Sequence, residues 1–436
     1  MSRPQLLSIA ETAALLHPRD TLAVPLGPGQ PRALLRALSE RDDWQDLQVF
    51  SALLIDGFEL FARPGVRLRS GFFGPIERAL VAAGHGVDFV PADFRRFTRI
   101  AADLAPRVFA TAAAPGLRPD ELSLSLHAGA TVEELHRCAR DPDRLLVVEC
   151  SSRLPRTHGI APEYPHAIAL DEIDVLVETD EEPFILPSSP PGDVERAIAD
   201  NALAYVESGA TLQTGIGGIP DQIVHELACG PLGDFGIHTE MFTTSLMRLH
   251  EAGKVCNQKG LFDGVSVATF AAGTAELNGW LDRNERVRFL PVHAINAPGQ
   301  IARNRNMLSI NGALAVDLFG QVAADVLPRG QFSGIGGHED FTSGAGMHGR
   351  SLICMPATAG PADAPVSRIH AALPAGIPAT TPRHQVDVVV TEYGSAELAG
   401  RSVGERARAL ARIAAPAFRD ALLADFEQLS QLRMRR

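Results

Sequence analysis

Short apolar runs alternate with amphipathic stretches along the whole chain. VDFVP (87–91), LLVVEC (145–150), IDVLVE (173–178), VRFLP (287–291), SLICMP (351–356) and VDVVVT (386–391) are rich in Val, Leu and Ile. Near-continuous apolar runs of this length fit strands buried on both faces of a mostly parallel sheet. TLAVPLGPGQPRALLRAL (21–38) and TLQTGIGGIPDQIVHEL (211–227) each read as a strand, a Gly-rich turn, a proline and a helix. Their helices share one pattern: Pro31, Leu34, Leu35 and Leu38 against Pro220, Ile223, Val224 and Leu227. Proline suits a first helical turn, and i, i+3, i+4, i+7 is one helix face.

The correspondence between the halves continues in order. VDFVP matches VRFLP, LLVVEC matches SLICMP, and IDVLVE matches VDVVVT, with the offset growing from 189 to 213 residues. The expected fold is therefore α/β: two similar open, mostly parallel domains related by internal duplication. The Pro/Ser-rich stretch FILPSSPPGD (184–193) reads as the joint. The expected domains are 1–188 and 189–436, the second containing Glu240. A helix is expected over 194–208, with Asp193 as N-cap and Gly209 as its stop.

Composition narrows the function classes. The 436 residues carry 40 Lys+Arg against 52 Asp+Glu, a net charge of −12, which argues against a nucleic-acid wrapper. Five widely spaced cysteines without a CxxC fit reduced thiols in a cytoplasm and no zinc site. No apolar leader precedes the first helix and no uncharged run reaches the ~18 residues of a membrane span, so a cytoplasmic chain with no membrane partner is expected. The only lysines are Lys254 and Lys259, 14 and 19 residues after Glu240.

Three segments carry candidate chemistry. In GIGGIP (215–220) glycines after a strand let backbone N–H groups approach a phosphate at a helix start; alone it is equally a tight turn. In FGIHTEMFTT (235–244) the alternation of Phe235, Ile237 and Thr239 predicts a strand ending near Glu240. A carboxylate at the carboxyl end of such a strand lies where open α/β sheets bind ligands, or is an ordinary surface acid. Glu240 lies 20 residues after Pro220, and Ser51 lies 20 after Pro31, which suggests one asymmetric site. FSGIGGHEDFTSGAG (332–346) is a Gly-rich loop before a strand, a ligand-lining segment or a flexible connection. The histidines show no metal-binding spacing, so no metal is expected.

LQTGIGGIPDQI (212–223), GIHTEMF (236–242), VDLFGQV (316–322), SGIGG–DF (333–341) and VVVTEYGSAELAGRS (389–402) resemble the acetyl-CoA hydrolase/transferase family, the class I CoA-transferases that include 4-hydroxybutyrate CoA-transferase. PRTHG (155–159) and FFGPIERALVAAG (72–84) extend the resemblance over nearly the whole chain. It implies a ping-pong CoA-transferase with Glu240 as nucleophile, moving coenzyme A between an acyl-CoA and a small carboxylic acid such as acetate or 4-hydroxybutyrate. Each half-reaction would pass through an acyl-glutamyl anhydride, and a glutamyl-CoA thioester would join the two. It also implies CoA contacts from Gly215, Ile216, Gly217, Gly218 and Ile219 and from Gly334, Gly336 and Gly337. Lys259 is a further CoA or acyl-site candidate, or a chance survivor on a loop; the family commonly has Lys there. Gly27 and Gly29 are oxyanion candidates across the domain interface, and His338 and Ser51 are pocket candidates. Coenzyme A is then substrate rather than resident cofactor, and a homodimer is the family expectation.

The chain departs from the family pattern at His338 (usually Gln), Ala315 (usually Glu) and Ser151-Ser152-Arg153 (usually containing Asn), while Arg350 replaces a common Lys. These departures bear on the acyl group and on the balance between transfer and hydrolysis. Two other functions remain open at this level: an acyl-CoA hydrolase using the same Glu, and a non-catalytic CoA-binding sensor.

Overall fold

The computed structural model describes residues 4–187 and 190–434. The expected boundary at 188/189 lies outside the described residues. By packing the chain forms two compact units, and both are discontinuous. The first holds residues up to Pro187 together with Thr239–Thr244 and Val265–Asn296. The second holds the following residues to His238, then Ser245–Gly264, then the chain from Ala297 onward. Glu240 therefore packs with the first unit, although it lies far beyond residue 188 in sequence.

The first unit is built on a parallel sheet. Its strands run in the order Gln5–Leu6, Val175–Thr179, Leu145–Ser151, Val108–Pro115, Arg19–Ala23, Asp46–Ser51, Val66–Ser70 and Val87–Phe89. Leu146, Val147 and Val148 are fully buried, as expected for a strand covered on both faces. The amphipathic helix Arg32–Ser39 buries Leu34, Leu35 and Leu38 against this sheet in one apolar cluster with Leu22, Leu47, Val49 and Val177. Pro31 cannot cap that helix with a side chain. Glu149, projecting from the strand Leu145–Ser151, does so instead, accepting from Ala33 N at 3.1 Å and Leu34 N at 2.9 Å.

The second unit has its own parallel sheet, in the order Gly236–Ile237, Thr211–Thr214, Met307–Gly312, Arg350–Cys354 and Val388–Thr391, closed by antiparallel Gly394–Glu397. The apolar runs at 351–356 and 386–391 are thus neighbouring strands. VRFLP behaves differently. Val287–Phe289 pairs with Ser266–Ala268 inside the first unit rather than extending the second sheet.

Two local expectations shift. The helix expected over 194–208 spans Asp193–Leu203, with Gly192 as N-cap and Asp193 in its first turn. The chain then tightens, Tyr205 N bonding Ala202 O and Val206 N bonding Leu203 O. The strand through Ile237 does not lead straight into a helix either. Glu240 falls between the short strands Gly236–Ile237 and Met241–Phe242, and the helix begins at Thr244. Among the described residues no helix is long and apolar enough to cross a membrane.

Candidate functional site

Glu240 is held at its backbone and at its side chain. Its carbonyl accepts from Thr269 N at 2.9 Å, Phe270 N at 3.3 Å and Thr269 Oγ1 at 3.2 Å. The next two residues, Met241 and Phe242, pair in parallel with Phe270 and Ala271. This small ladder draws the segment out of the second unit's sheet and into the first unit. Glu240 itself is half-buried, and its Oε2 accepts from Asn296 Nδ2 at 2.6 Å. Asn296 is fully buried at the end of the short helix Val292–Ile295, where its N–H bonds Val292 O.

The ladder is itself supported. Ala128 N and Gly129 N both donate to Thr269 O, and Ala271 N donates to Leu126 O. PRTHG explains how the 123–129 segment is fixed. Thr157 Oγ1 donates to Ser125 O at 2.5 Å, Ser125 Oγ donates to Pro155 O at 2.7 Å, and Arg156 forms a two-point ion pair with Asp282 at 3.0 and 2.8 Å. His166 Nε2 also donates to Ser125 O at 2.8 Å. This motif therefore supports the catalytic candidate through two layers of backbone bonds.

Gly27, Gly29 and Ser51 gather in the same unit. Leu26 and Ala52, which flank them, share an apolar cluster with Met241, Phe270 and Val292. Sequence reasoning placed the glycines across an interface from Glu240, whereas packing puts all three in one unit. Their N–H groups are already spent: Gly27 N bonds Ala52 O and Leu53 O at 3.3 and 3.2 Å, and Gly29 N bonds Leu26 O at 3.2 Å. Ser51 is likewise committed, donating to Pro25 O and accepting from Gln30 Nε2, both at 3.2 Å. Gly29 has a steric role, because a Cβ there would collide with the His127 imidazole. His127 is buried and neutral; burial pushes its pKa down to about 3.

In the second unit, GIGGIP follows the strand Thr211–Thr214 and opens the helix Gly218–Cys229. Gly217 takes φ +118°, a conformation that favours glycine, and Ile216 is half exposed. Gly215 N is tied to Ile310 O at 3.0 Å. Beneath the loop, Gln213 and Asn311 exchange amide hydrogen bonds at 3.2 and 3.3 Å. Lys259 is fully buried rather than on a solvated loop. Its ammonium donates to Phe262 O, its N–H donates to Asp263 Oδ1 at 2.8 Å, and burial pushes its pKa down to about 8. It backs the strand before Glu240: a Cβ on Gly236 would lie 2.9 Å from Lys259 Cβ.

The loop through Gly334, Gly336 and Gly337 leads into the helix His338–His348 and is buried except at Ile335. Asp325 anchors its start by accepting from Phe332 N at 2.8 Å and Ser333 N at 3.0 Å. His338 Nε2 lies 2.8 Å from the buried Thr381 Oγ1, and burial pushes the imidazole pKa down to about 4, so it is neutral. Asp317 in VDLFGQV is fully buried and gathers Phe319 N, Gln321 N, Gln321 Nε2 and Leu373 N around its carboxylate. Ala315, just before, pairs with Ala323. Among the described residues no group of three or more His, Cys, Asp or Glu is arranged to hold a metal ion.

Asn296 is the residue that sequence reasoning missed. It lies 56 positions beyond Glu240, outside every motif; the pairing of Met241–Phe242 with Phe270–Ala271 and of Ser266–Ala268 with Val287–Phe289 draws the two segments together.

Comparison with known proteins places the chain in a family. A sequence profile described as the acetyl-CoA hydrolase/transferase C-terminal domain matches residues 273–426. The chain is 34% identical over 427 residues to a succinyl-CoA:cyclohexane-1-carboxylate CoA transferase of Geobacter metallireducens, covering 96% of this chain and 94% of that protein. It is 40% identical over 295 residues to a 4-hydroxybutyrate coenzyme A transferase of Clostridium kluyveri, covering 66% of each. The crystal structure of RipA from Yersinia pestis superposes with a TM-score of 0.86 at 30% identity, over 98% of this chain and 97% of that one. The chain belongs to the acetyl-CoA hydrolase/transferase family.

Proposed function

We propose that the protein is a CoA-transferase that moves coenzyme A between an acyl-CoA and a small carboxylic acid, with Glu240 as the covalent relay. The observation that carries this reading is the Asn296 amide bonded to Glu240 Oε2 at 2.6 Å, within a segment locked at its backbone. A fixed carboxylate attacks the thioester carbonyl, forming the carbon–oxygen bond of an acyl-glutamyl anhydride and expelling CoA thiolate. The thiolate then attacks the glutamyl carbonyl of the anhydride, releasing the first acid and leaving a glutamyl-CoA thioester. An incoming carboxylate reverses both steps and departs as the new acyl-CoA. Covalent catalysis divides one difficult exchange into easier ones.

Each tetrahedral intermediate places negative charge on a former carbonyl oxygen, which needs preorganised donors. For thiolate addition at the glutamyl carbonyl, the Asn296 Nδ2–H, already on a Glu240 oxygen, is the donor that the geometry offers. The N–H groups of Gly27 and Gly29 are occupied and are not assigned this role. The partly exposed helix start at Gly217–Ile219 supplies N–H groups suited to a CoA phosphate.

The test is a matrix of acyl-CoA donors against carboxylate acceptors. Transfer predicts new acyl-CoA and parallel double-reciprocal lines. A hydrolase, which the family description also covers, predicts acid release unaffected by added carboxylates. Tight CoA binding without turnover would leave a sensor.

A further inference from the structure

We propose that a cavity in the first unit, distinct from the surroundings of Glu240, is a binding site for an adenosine phosphate. The cavity encloses about 550 Å³, and neither Glu240 nor Asn296 lines it. It lies between the 152–156 segment, the 182–185 segment and one face of the helix Ala275–Leu281. That face presents Ala275, Asn278, Gly279 and the capping Asp282, spaced i, i+3, i+4 and i+7. Two of the four are small, which opens the space.

Three features define the ligand. The first is an amide edge. Asn278 is only 5% exposed, its Oδ1 has no hydrogen-bond partner, and its Nδ2 reaches Phe184 O only at 3.4 Å. A buried acceptor left unpaired is unfavourable, so a ligand donor placed there is favoured. An Asn amide sets an acceptor beside a donor, the pattern that matches an adenine edge with its amino group beside a ring nitrogen. The second is an apolar wall: Leu154, Pro155, Pro183 and Ile185 line the cavity, and Ile185 is 51% exposed. Such a wall suits the face of a base.

The third feature is a loosely held cation. Arg156 is fully engaged with Asp282 at 2.8 Å, but Arg153 meets Glu182 only at 3.6 Å, and both partners of that pair are largely exposed. A phosphate would offer Arg153 the two-point contact that Glu182 does not. The volume falls in the ~300–1,000 Å³ range of ligand sites. A small carboxylate would leave most of it empty.

The ligand proposed is a free adenine nucleotide, since neither Glu240 nor Asn296 lines the cavity. Calorimetric titration of the full chain with AMP, adenosine 3′,5′-bisphosphate and GMP tests it. AMP binding supports the site, and binding of the bisphosphate alone would assign the cavity to the nucleotide end of CoA and overturn the proposal. Asn278→Leu is expected to weaken binding by about tenfold or more. Arg153→Gln, on an exposed side chain that folding does not need, is expected to weaken the phosphorylated ligands but not adenosine. Failure of both adenosine phosphates to bind overturns the proposal. So does binding that survives both substitutions, or GMP binding as tightly as AMP. None of these readouts depends on acyl transfer.

Discussion

Asn296 Nδ2 donates to Glu240 Oε2 at 2.6 Å, joining a residue between two short strands to one that ends a short helix 56 positions later. The bond joins the candidate nucleophile to a side chain that is itself fully buried. A carboxylate held in this way loses little rotational freedom on reaching the transition state. When CoA thiolate adds to the glutamyl carbonyl, the same amide hydrogen can follow the glutamyl oxygen as it gains charge.

Asn296→Ala is therefore expected to lower kcat by about 10²–10³-fold, the typical loss for one oxyanion donor. The Michaelis constant for acyl-CoA should change little, because the amide acts on the reacting carboxylate rather than on the distant nucleotide. Steady-state kinetics check this, with circular dichroism to confirm that the variant folds. A rise in the Michaelis constant at unchanged kcat would assign Asn296 to substrate binding.

Buried neutral histidines make acid destabilising. Burial depresses the pKa of His127 to about 3, and of His166 and His338 to about 4, from an ordinary 6.5. Between pH 6.5 and 4 the unfolded chain takes up protons that the folded chain refuses, so stability falls as pH falls. Each histidine contributes up to about 1.4 kcal/mol per pH unit in that window. Glu149 works in the opposite direction: burial raises its pKa to about 7, so it favours the folded state as pH falls from 7 toward 4.5. Three groups outweigh one, and urea unfolding at pH 7 and pH 5 should show the lower midpoint at pH 5. His127→Gln should reduce the difference.

Lys259 sits in a space shaped for an unbranched chain. Its ammonium is on Phe262 O, and Gly236 is glycine where a Cβ would lie 2.9 Å from Lys259 Cβ. Lys259→Arg inserts a wider, strongly basic group into a fully buried site and is expected to cost about 1–3 kcal/mol of stability. Lys259→Met keeps the stem and removes the charge that burial already disfavours, and should cost less. Thermal unfolding distinguishes them; equal melting temperatures would show that the segment adapts.

Gly29→Ala drives a methyl group into the His127 ring and should cost about 1–3 kcal/mol by overpacking. Combining it with His127→Ala should recover part of that loss. A double-mutant cycle measures the coupling, and additive losses would refute the contact as the cause.

Much of this organisation is legible in the residues. The apolar runs are parallel strands, buried at 145–150, 287–291, 351–356 and 386–391 but only partly covered at Val87–Phe89 on the sheet edge, and Glu240 lies just beyond the short strand Gly236–Ile237, because strand formation and ligand placement at carboxyl ends follow local patterns. What the sequence conceals is set by distant partners. Lys259 looks like a solvated cation until Phe262, Asp263 and Gly236 are seen to enclose it. His338 looks like a pocket residue, yet its imidazole bonds Thr381, 43 positions away. Ser51 matches Glu240 in spacing but is tied to Pro25 and Gln30. The passage of 239–244 into the first unit is likewise invisible locally, since it depends on pairing with 270–271.

The most direct test of the central claim is the mass of the Glu240-containing peptide. The protein is incubated with acyl-CoA without an acceptor acid, then digested before and after borohydride or hydroxylamine trapping. The account predicts a CoA adduct on Glu240, its conversion to the corresponding alcohol or hydroxamate, and complete loss of both in Glu240→Gln. An unmodified Glu240 peptide during active turnover would contradict it.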